Sequence, residues 1–232
     1  MREALAGGLE ASQQSHDYRR SVKRFYRVGV PGGRELFVKC RGHSGVLRRL
    51  GRTLRRTKAE REFRNLLALG ARGIPCPDPV AVGRRYAGLL LAESLLAQEF
   101  LPDAVPLSRA LTGAVSDVDR DALLDGLFEF LLLLRSRGVV HRDLHWDNLL
   151  VCGGDPGRGF RLIDALHVRL VAPPAGDAFA EPVRWFLIFL VHKGAPQAII
   201  DGFLDRLPRL ALAELGDRQR LLDEASHVAA KL

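Results

Sequence analysis

Apolar positions in the first hundred residues repeat with a period of two before they repeat with the period of a helix. Val22–Val28 (VKRFYRV) and Glu35–Cys40 (ELFVKC) are β-rich runs either side of Gly29–Gly33, which holds a Pro-Gly-Gly turn, so a hairpin is predicted. Alternation along the second run sets Phe37 and Lys39 on one face and Leu36, Val38 and Cys40 on the other. A basic loop is expected next. From about Thr57, the spacing of Phe63, Leu66, Leu67 and Gly70 is that of an amphipathic helix, with Glu60 and Glu62 in its first half. This helix is predicted to stop at Gly70 or Gly73. The Pro-rich segment GIPCPDPVAVGRR then leads into a short strand at Val80–Gly83, and Gly88–Ala92 and Leu96–Leu101 read as two further strands.

Between Phe100 and Pro106 the character changes from strand-like segments to long helical ones. The expected architecture is α+β in two lobes, a small antiparallel sheet with one helix over residues 1–101 and a mainly helical lobe over 102–232. Ser116, Asp117 and Asp119 make a good helix start, and the apolar stretch from Leu123 to Leu134 predicts a mostly buried helix ending at Gly138. VVHRDLHWDN follows, then the short strand LLVC, the turn GGDPGRG, the strand FRLID, and two helices from about Glu181 and Ala198. The run WFLIFLV (Trp185–Val191) is far too short to span a bilayer and reads as a buried helix.

Composition leaves this picture in place. The chain has 232 residues, of which 47% are hydrophobic and 27% charged, as in a folded globular protein. Three scattered cysteines, Cys40, Cys76 and Cys152, suggest neither a disulfide framework nor a thiolate zinc site, and the first twenty residues lack the apolar core of a signal peptide. A cytoplasmic protein is therefore expected, soluble or at most resting on a membrane surface. Charge adds something new. The net charge is +8, and the excess is confined to the first half: residues 1–100 carry 20 basic and 9 acidic side chains, the remainder 15 and 18. It peaks between Arg41 and Arg64, which points to an anionic partner.

The candidate chemistry lies in His141–Asn148 (HRDLHWDN) and in Asp164, delivered by the strand after it. Phosphoryl transfer needs one carboxylate to orient the attacking hydroxyl and take its proton, and an amide plus a second carboxylate to hold magnesium against phosphate oxygens. Asp143, Asn148 and Asp164 supply those groups. A His, Asp, Leu and Asn in this pattern arise by chance in such a chain with odds on the order of 10⁻³. A strand lysine, Lys39, and a helix glutamate, Glu62, precede them in the order of the kinase signature set, with Glu60 as the fallback partner.

From about Tyr18 to Asp164 the sequence resembles the bacterial lipopolysaccharide core kinases, the group of 3-deoxy-D-manno-octulosonic acid (Kdo) kinase and the heptose kinases. The residues that carry the resemblance are YRV before the strand lysine, the run KAEREFRNLLALGARGIPCPDPVAVG, then HRDLHWDN and LID. The resemblance implies a protein kinase-like fold, ATP and Mg2+ as cofactors, and transfer of phosphate to a sugar hydroxyl of the inner core. It implies Asp143 as catalytic base, Asn148 and Asp164 as magnesium ligands, and Lys39 with Glu62 as the phosphate-positioning pair. His145 stands where protein kinases place a lysine, and either touches the transferred phosphate or packs beside the base. His141 and Arg142 are expected to brace the loop. The implied partner is an anionic glycan or glycolipid, with peripheral contact to the inner membrane and no nucleic acid.

Several departures narrow the expectation. No GxGxxG precedes Lys39, so the phosphate cover must come from around Gln13–Arg20. Asp164 is followed by Ala165-Leu166 in place of Phe-Gly, and no Ala-Pro-Glu element appears, which argues against a peptide substrate. Among rival readings, an aminoglycoside-type kinase of the same fold would carry an acidic pocket, whereas the excess here is basic. A zinc hydrolase using His141 and His145 lacks the glutamate of HExxH, since Arg142 stands in its place. A nucleic-acid-binding protein would be motivated by the Arg41–Arg64 cluster alone.

Overall fold

The structure is a computed structural model and describes residues 14–18, 21–53, 55–113, 119–152 and 159–232. It is α+β, and the chain divides into two compact units: Met1–Gly70 with Pro77–Leu101, and Ala71–Cys76 with Pro102–Leu232.

The first unit is built on a five-stranded antiparallel sheet. Its strands are β1 (Gln14–Tyr18), β2 (Ser21–Val30), β3 (Arg34–Gly42), β4 (Pro79–Ala87) and β5 (Leu90–Glu99), in the order β1-β2-β3-β5-β4. The β2–β3 turn places Gly32 and Gly33 at φ of 93° and 74°, a left-handed pair that side chains resist. Phe25 pairs with Lys39 across the hairpin and stacks on Phe37, so the three share one sheet face. Two helices accompany the sheet, α1 (Val46–Thr53) and α2 (Lys58–Ala71).

Three expectations change here. The segment after β3 is not a loop but carries α1, whose arginines and Gly51 hide its helical period. Gly88–Ala92 and Leu96–Leu101 are not two strands but overlap the two ends of the single strand β5. Its polar middle belongs to the sheet, because Glu93 pairs with Arg24 and Arg85, and buried Ser94 lies 3.4 Å from His43 Nε2. Along α2 the buried positions are Ala59, Glu62, Leu66 and Leu69, while Leu67 faces out. The buried stripe therefore runs through a glutamate.

The second unit is mainly helical. It holds α3 (Leu107–Leu111), α4 (Arg120–Ser136), α5 (Ala180–His192), α6 (Gln197–Arg206) and α7 (Arg218–Ala229). Two small antiparallel sheets complete it: β6 (Ala104–Pro106), β8 (Leu149–Cys152) and β9 (Phe160–Leu162) in the order β6-β8-β9, and β7 (Val139–His141) with β10 (Val168–Leu170). Asp119 caps α4, accepting from the amides of Asp121 and Ala122; Ser116 and Asp117, expected to start it, lie outside the described residues. Leu123, Leu127, Phe128, Leu131 and Leu134 are buried on α4, and Phe203 of α6 packs between Phe128 and Phe186 of α5 with ring centroids 5.2 Å from each. Most of the WFLIFLV run is thereby core, and no helix among the described residues is long and apolar enough to cross a membrane.

The link from α4 to β7 turns on a glycine. Gly138 takes φ of 65°, and a Cβ there would stand 2.4 Å from the carbonyl oxygen of Val171. Only glycine fits. Arg72 donates to the carbonyls of Arg137, Gly138 and Val171 at 2.7–3.0 Å, tying the entrance of β7 to the exit of β10.

Candidate active site

In the first unit, Lys39 of β3 meets Glu62 of α2, with Nζ 2.5 Å from Oε1. The Glu62 side chain is only 2% exposed, so its charge is tolerated because an ammonium lies against it. Glu60 is not the partner. Its carboxylate closes a capping box with Thr57: the Thr57 amide donates to Glu60 Oε2 at 2.7 Å, and the Glu60 amide donates to Thr57 Oγ1 at 3.1 Å. Arg84 then grips the same carboxylate at 2.7 and 2.8 Å. The Arg84 guanidinium, aided by Thr57, pulls the Glu60 pKa down to about 2.

The second unit holds the other candidates on the loop from β7 to β8 and just after β9. His141 is fully buried and uses both ring nitrogens on backbone groups. Nδ1 accepts from the Asp143 amide at 3.1 Å, which leaves the proton on Nε2 to be donated to the Asp164 carbonyl at 3.1 Å. Burial pushes its pKa down to about 4, against the pull of Asp143 and Asp164, so the ring is neutral at neutral pH. Asp164 itself sits in the left-handed region at φ of 54°, a conformation that costs a non-glycine residue roughly 1–2 kcal/mol and is held here by that bond.

Asp143 is fixed from both sides. His141 holds its amide, and Asn148 Nδ2 donates to its carbonyl at 2.8 Å, while its carboxylate stays 40% exposed. The bond is made by Nδ2, so the amide oxygen Oδ1 of Asn148 is the atom that could face a cation. Asn148 is tied onward, since its carbonyl accepts from the Ile163 amide at 2.9 Å, one residue before Asp164. A short 3-10 turn, Trp146–Asn148, is capped by His145, whose Nδ1 accepts from the Asp147 amide at 3.2 Å. His145 Nε2 is 3.9 Å from Asp143 Oδ1, and its ring lies against Phe189 of α5 with centroids 5.1 Å apart. Burial lowers its pKa despite the nearby carboxylates of Asp143, Asp147 and Asp164.

The loop thus gathers Asp143, His145 and Asn148 in one hydrogen-bonded unit, joined to Asp164 through His141 and Ile163. Four contributors, Asp147, Ser108, Phe189 and Arg72, were not singled out in the sequence. Ser108 of α3 donates to the Asp147 carboxylate, Phe189 backs His145, and Arg72 anchors the approach to β7. Asp147 could have been noticed within HWDN; the others lie far along the chain and carry no local signal. Gln13, Arg19 and Arg20, from the expected phosphate cover, lie outside the described residues, and the rest of that span is β1.

The donor set suits a hard cation. Asn148 and Asp164 offer oxygens, which fits magnesium, an ion that keeps several waters and substrate phosphates and needs few protein ligands. It does not suit zinc, because the nitrogens of His141 are both spent on backbone groups, as is Nδ1 of His145.

A sheet unit with a buried lysine–glutamate pair, followed by a helical unit with this loop, defines a kinase-like α+β protein. The model of the lipopolysaccharide kinase (Kdo/WaaP) family matches residues 12–170, more than half of the chain, and the protein belongs to that family of phosphotransferases. Its fold is similar to that of a solved structure described as WaaP in complex with acyl carrier protein, with a TM-score of 0.61 and 20% identity over 99% of this chain and 91% of that one. No curated protein matches it significantly.

Proposed function

We propose that the protein transfers the γ-phosphate of ATP to a hydroxyl of an anionic sugar in the inner core of lipopolysaccharide, a Kdo or a heptose. The observation that carries this reading is Asp143: its backbone is locked by His141 and Asn148, and its carboxylate is left open. That is the arrangement a base needs in order to orient an acceptor hydroxyl and take its proton. Residues 1–101 serve as the nucleotide-binding lobe, with Lys39 held by Glu62 against the α- and β-phosphates, and residues 102–232 carry the acceptor chemistry. Asn148 and Asp164 hold magnesium, whose chemistry when bound is to neutralise phosphate oxygens. His145, its pKa lowered by burial and its ring backed by Phe189, packs beside the Asp143 carboxylate with Nε2 3.9 Å from Oδ1. ATP as donor puts the reaction in the cytoplasm.

The test is transfer of label from γ-labelled ATP to lipopolysaccharide precursors, with and without acyl carrier protein, since the similar solved structure is a complex with one. Label recovered on the core sugar, dependent on magnesium, is the expected result. Label that reaches only water, or an aminoglycoside, contradicts the assignment.

A further inference from the structure

The basic stretch of the first unit is explained by none of the groups above. From Gly42 to Ala59 the chain carries six basic residues, Arg48, Arg49, Arg52, Arg55, Arg56 and Lys58, and no Asp or Glu. The acidic residues beside it are already neutralised, Glu60 by Arg84 and Glu93 by Arg24 and Arg85. Out of this basic surface stand large apolar side chains. Val46 and Leu50, one turn apart on α1, are 66% and 51% exposed, and Leu89 at the tip of the β4–β5 turn is 90% exposed. Hydrogen bonds set these elements side by side: the Leu91 amide donates to Thr53 Oγ1 at 3.0 Å, and Arg84 donates to the carbonyls of Thr53 and Arg55 at 3.2 Å.

Isolated exposed aliphatic residues are ordinary, but of the seven large exposed hydrophobics among the described residues, five (Val46, Leu50, Val80, Tyr86 and Leu89) fall on α1 and the β4–β5 hairpin. Nucleic acid would be met by the arginines together with aromatic stacking groups, of which Tyr86 is the one among these exposed side chains, and it gives no role to exposed valine and leucine. A bilayer surface uses both components: aliphatic side chains enter the interface while arginines meet anionic headgroups.

We propose that α1 and the β4–β5 turn form a docking surface for an anionic lipid bilayer, with Val46, Leu50 and Leu89 inserting and Arg55 and Arg56 contacting lipid phosphates. The proposal stands apart from the kinase reading, because vesicle binding requires no catalysis. It is tested by co-sedimentation of the full chain with vesicles of phosphatidylcholine alone and of phosphatidylcholine mixed with phosphatidylglycerol, at low and high salt. Binding to the anionic vesicles about tenfold or more above the neutral ones, weakened by salt, is expected. The pair Leu50→Ser with Leu89→Ser and the pair Arg55→Gln with Arg56→Gln should each reduce it by about tenfold, leaving the melting temperature and phosphate transfer to a soluble, delipidated acceptor unchanged. Equal binding to both vesicle types, full binding by either double variant, or binding to DNA in place of vesicles overturns the proposal. So does competition of vesicle binding by inorganic phosphate, which would mark a site for free phosphate.

Discussion

The candidate residues of the two units are held by opposite physics. In the sheet unit, Glu62 is a buried charge, tolerable because the partly buried Lys39 ammonium lies against it. On the β7–β8 loop, the buried group is His141, which is neutral and satisfied by the Asp143 amide and the Asp164 carbonyl. The first arrangement fixes a cation and is sensitive to loss of a partner. The second orients carboxylates without placing a charge beside them, and is sensitive to protonation. A phosphoryl-transfer site needs both, a fixed positive charge for phosphates and carboxylates left ionised for a hydroxyl and a metal.

The contrast can be broken from its strongest side first. Lys39→Met strips Glu62 of its ammonium and should cost about 3–5 kcal/mol in urea unfolding. Lys39→Met combined with Glu62→Leu should recover most of that stability while transfer stays lost. If the single change costs nothing, the pair is not a buried ionic one. Next is pH. His141 has a folded pKa of about 4 against an ordinary 6.5, so the unfolded chain binds more protons between those values. Its contribution to stability is complete above pH 6.5 and falls by roughly 3 kcal/mol as pH drops to 4. His141→Leu should flatten that window.

A smaller effect separates the two glutamates of α2. Glu60→Gln weakens the capping box and the Arg84 grip and should cost about 1 kcal/mol by thermal or urea unfolding, with transfer retained. Because the Glu60 pKa is lowered from 4.5 to about 2, its contribution is present above pH 4.5 and lost as pH falls toward 2, a window that lies mostly below that of His141. Glu60→Gln flattening the histidine window, or His141→Leu flattening the one toward pH 2, would contradict the assignment of separate roles.

How much of this can be read from the chain depends on range. The β2–β3 hairpin is readable because Pro-Gly-Gly demands a turn, and the loop residues because HRDLHWDN is contiguous. The choice between Glu60 and Glu62 is partly available, since Thr57-x-x-Glu60 is a capping box in plain view. Strand β5 reads as two because Glu93 and Ser94 look like a break, and only the partners Arg24, Arg85 and His43 on other elements make them strand residues. Helix α1 escapes a sequence reading because its three arginines equal its apolar side chains in number and Gly51 interrupts them. The protonation state of His141 is out of reach, because the carbonyl that fixes it comes from Asp164, 23 residues on.

The central claim is that Asp143 acts chemically and bears no structural load. Asp143→Asn keeps both backbone bonds of that residue and alters only an exposed carboxylate, so one preparation of this variant should be measured for thermal unfolding and for label transfer from ATP to lipopolysaccharide precursors. The account predicts an unchanged melting temperature and a loss of transfer of about 10²–10⁴-fold. Transfer that survives the change, or a loss that only tracks a lowered melting temperature, would contradict it.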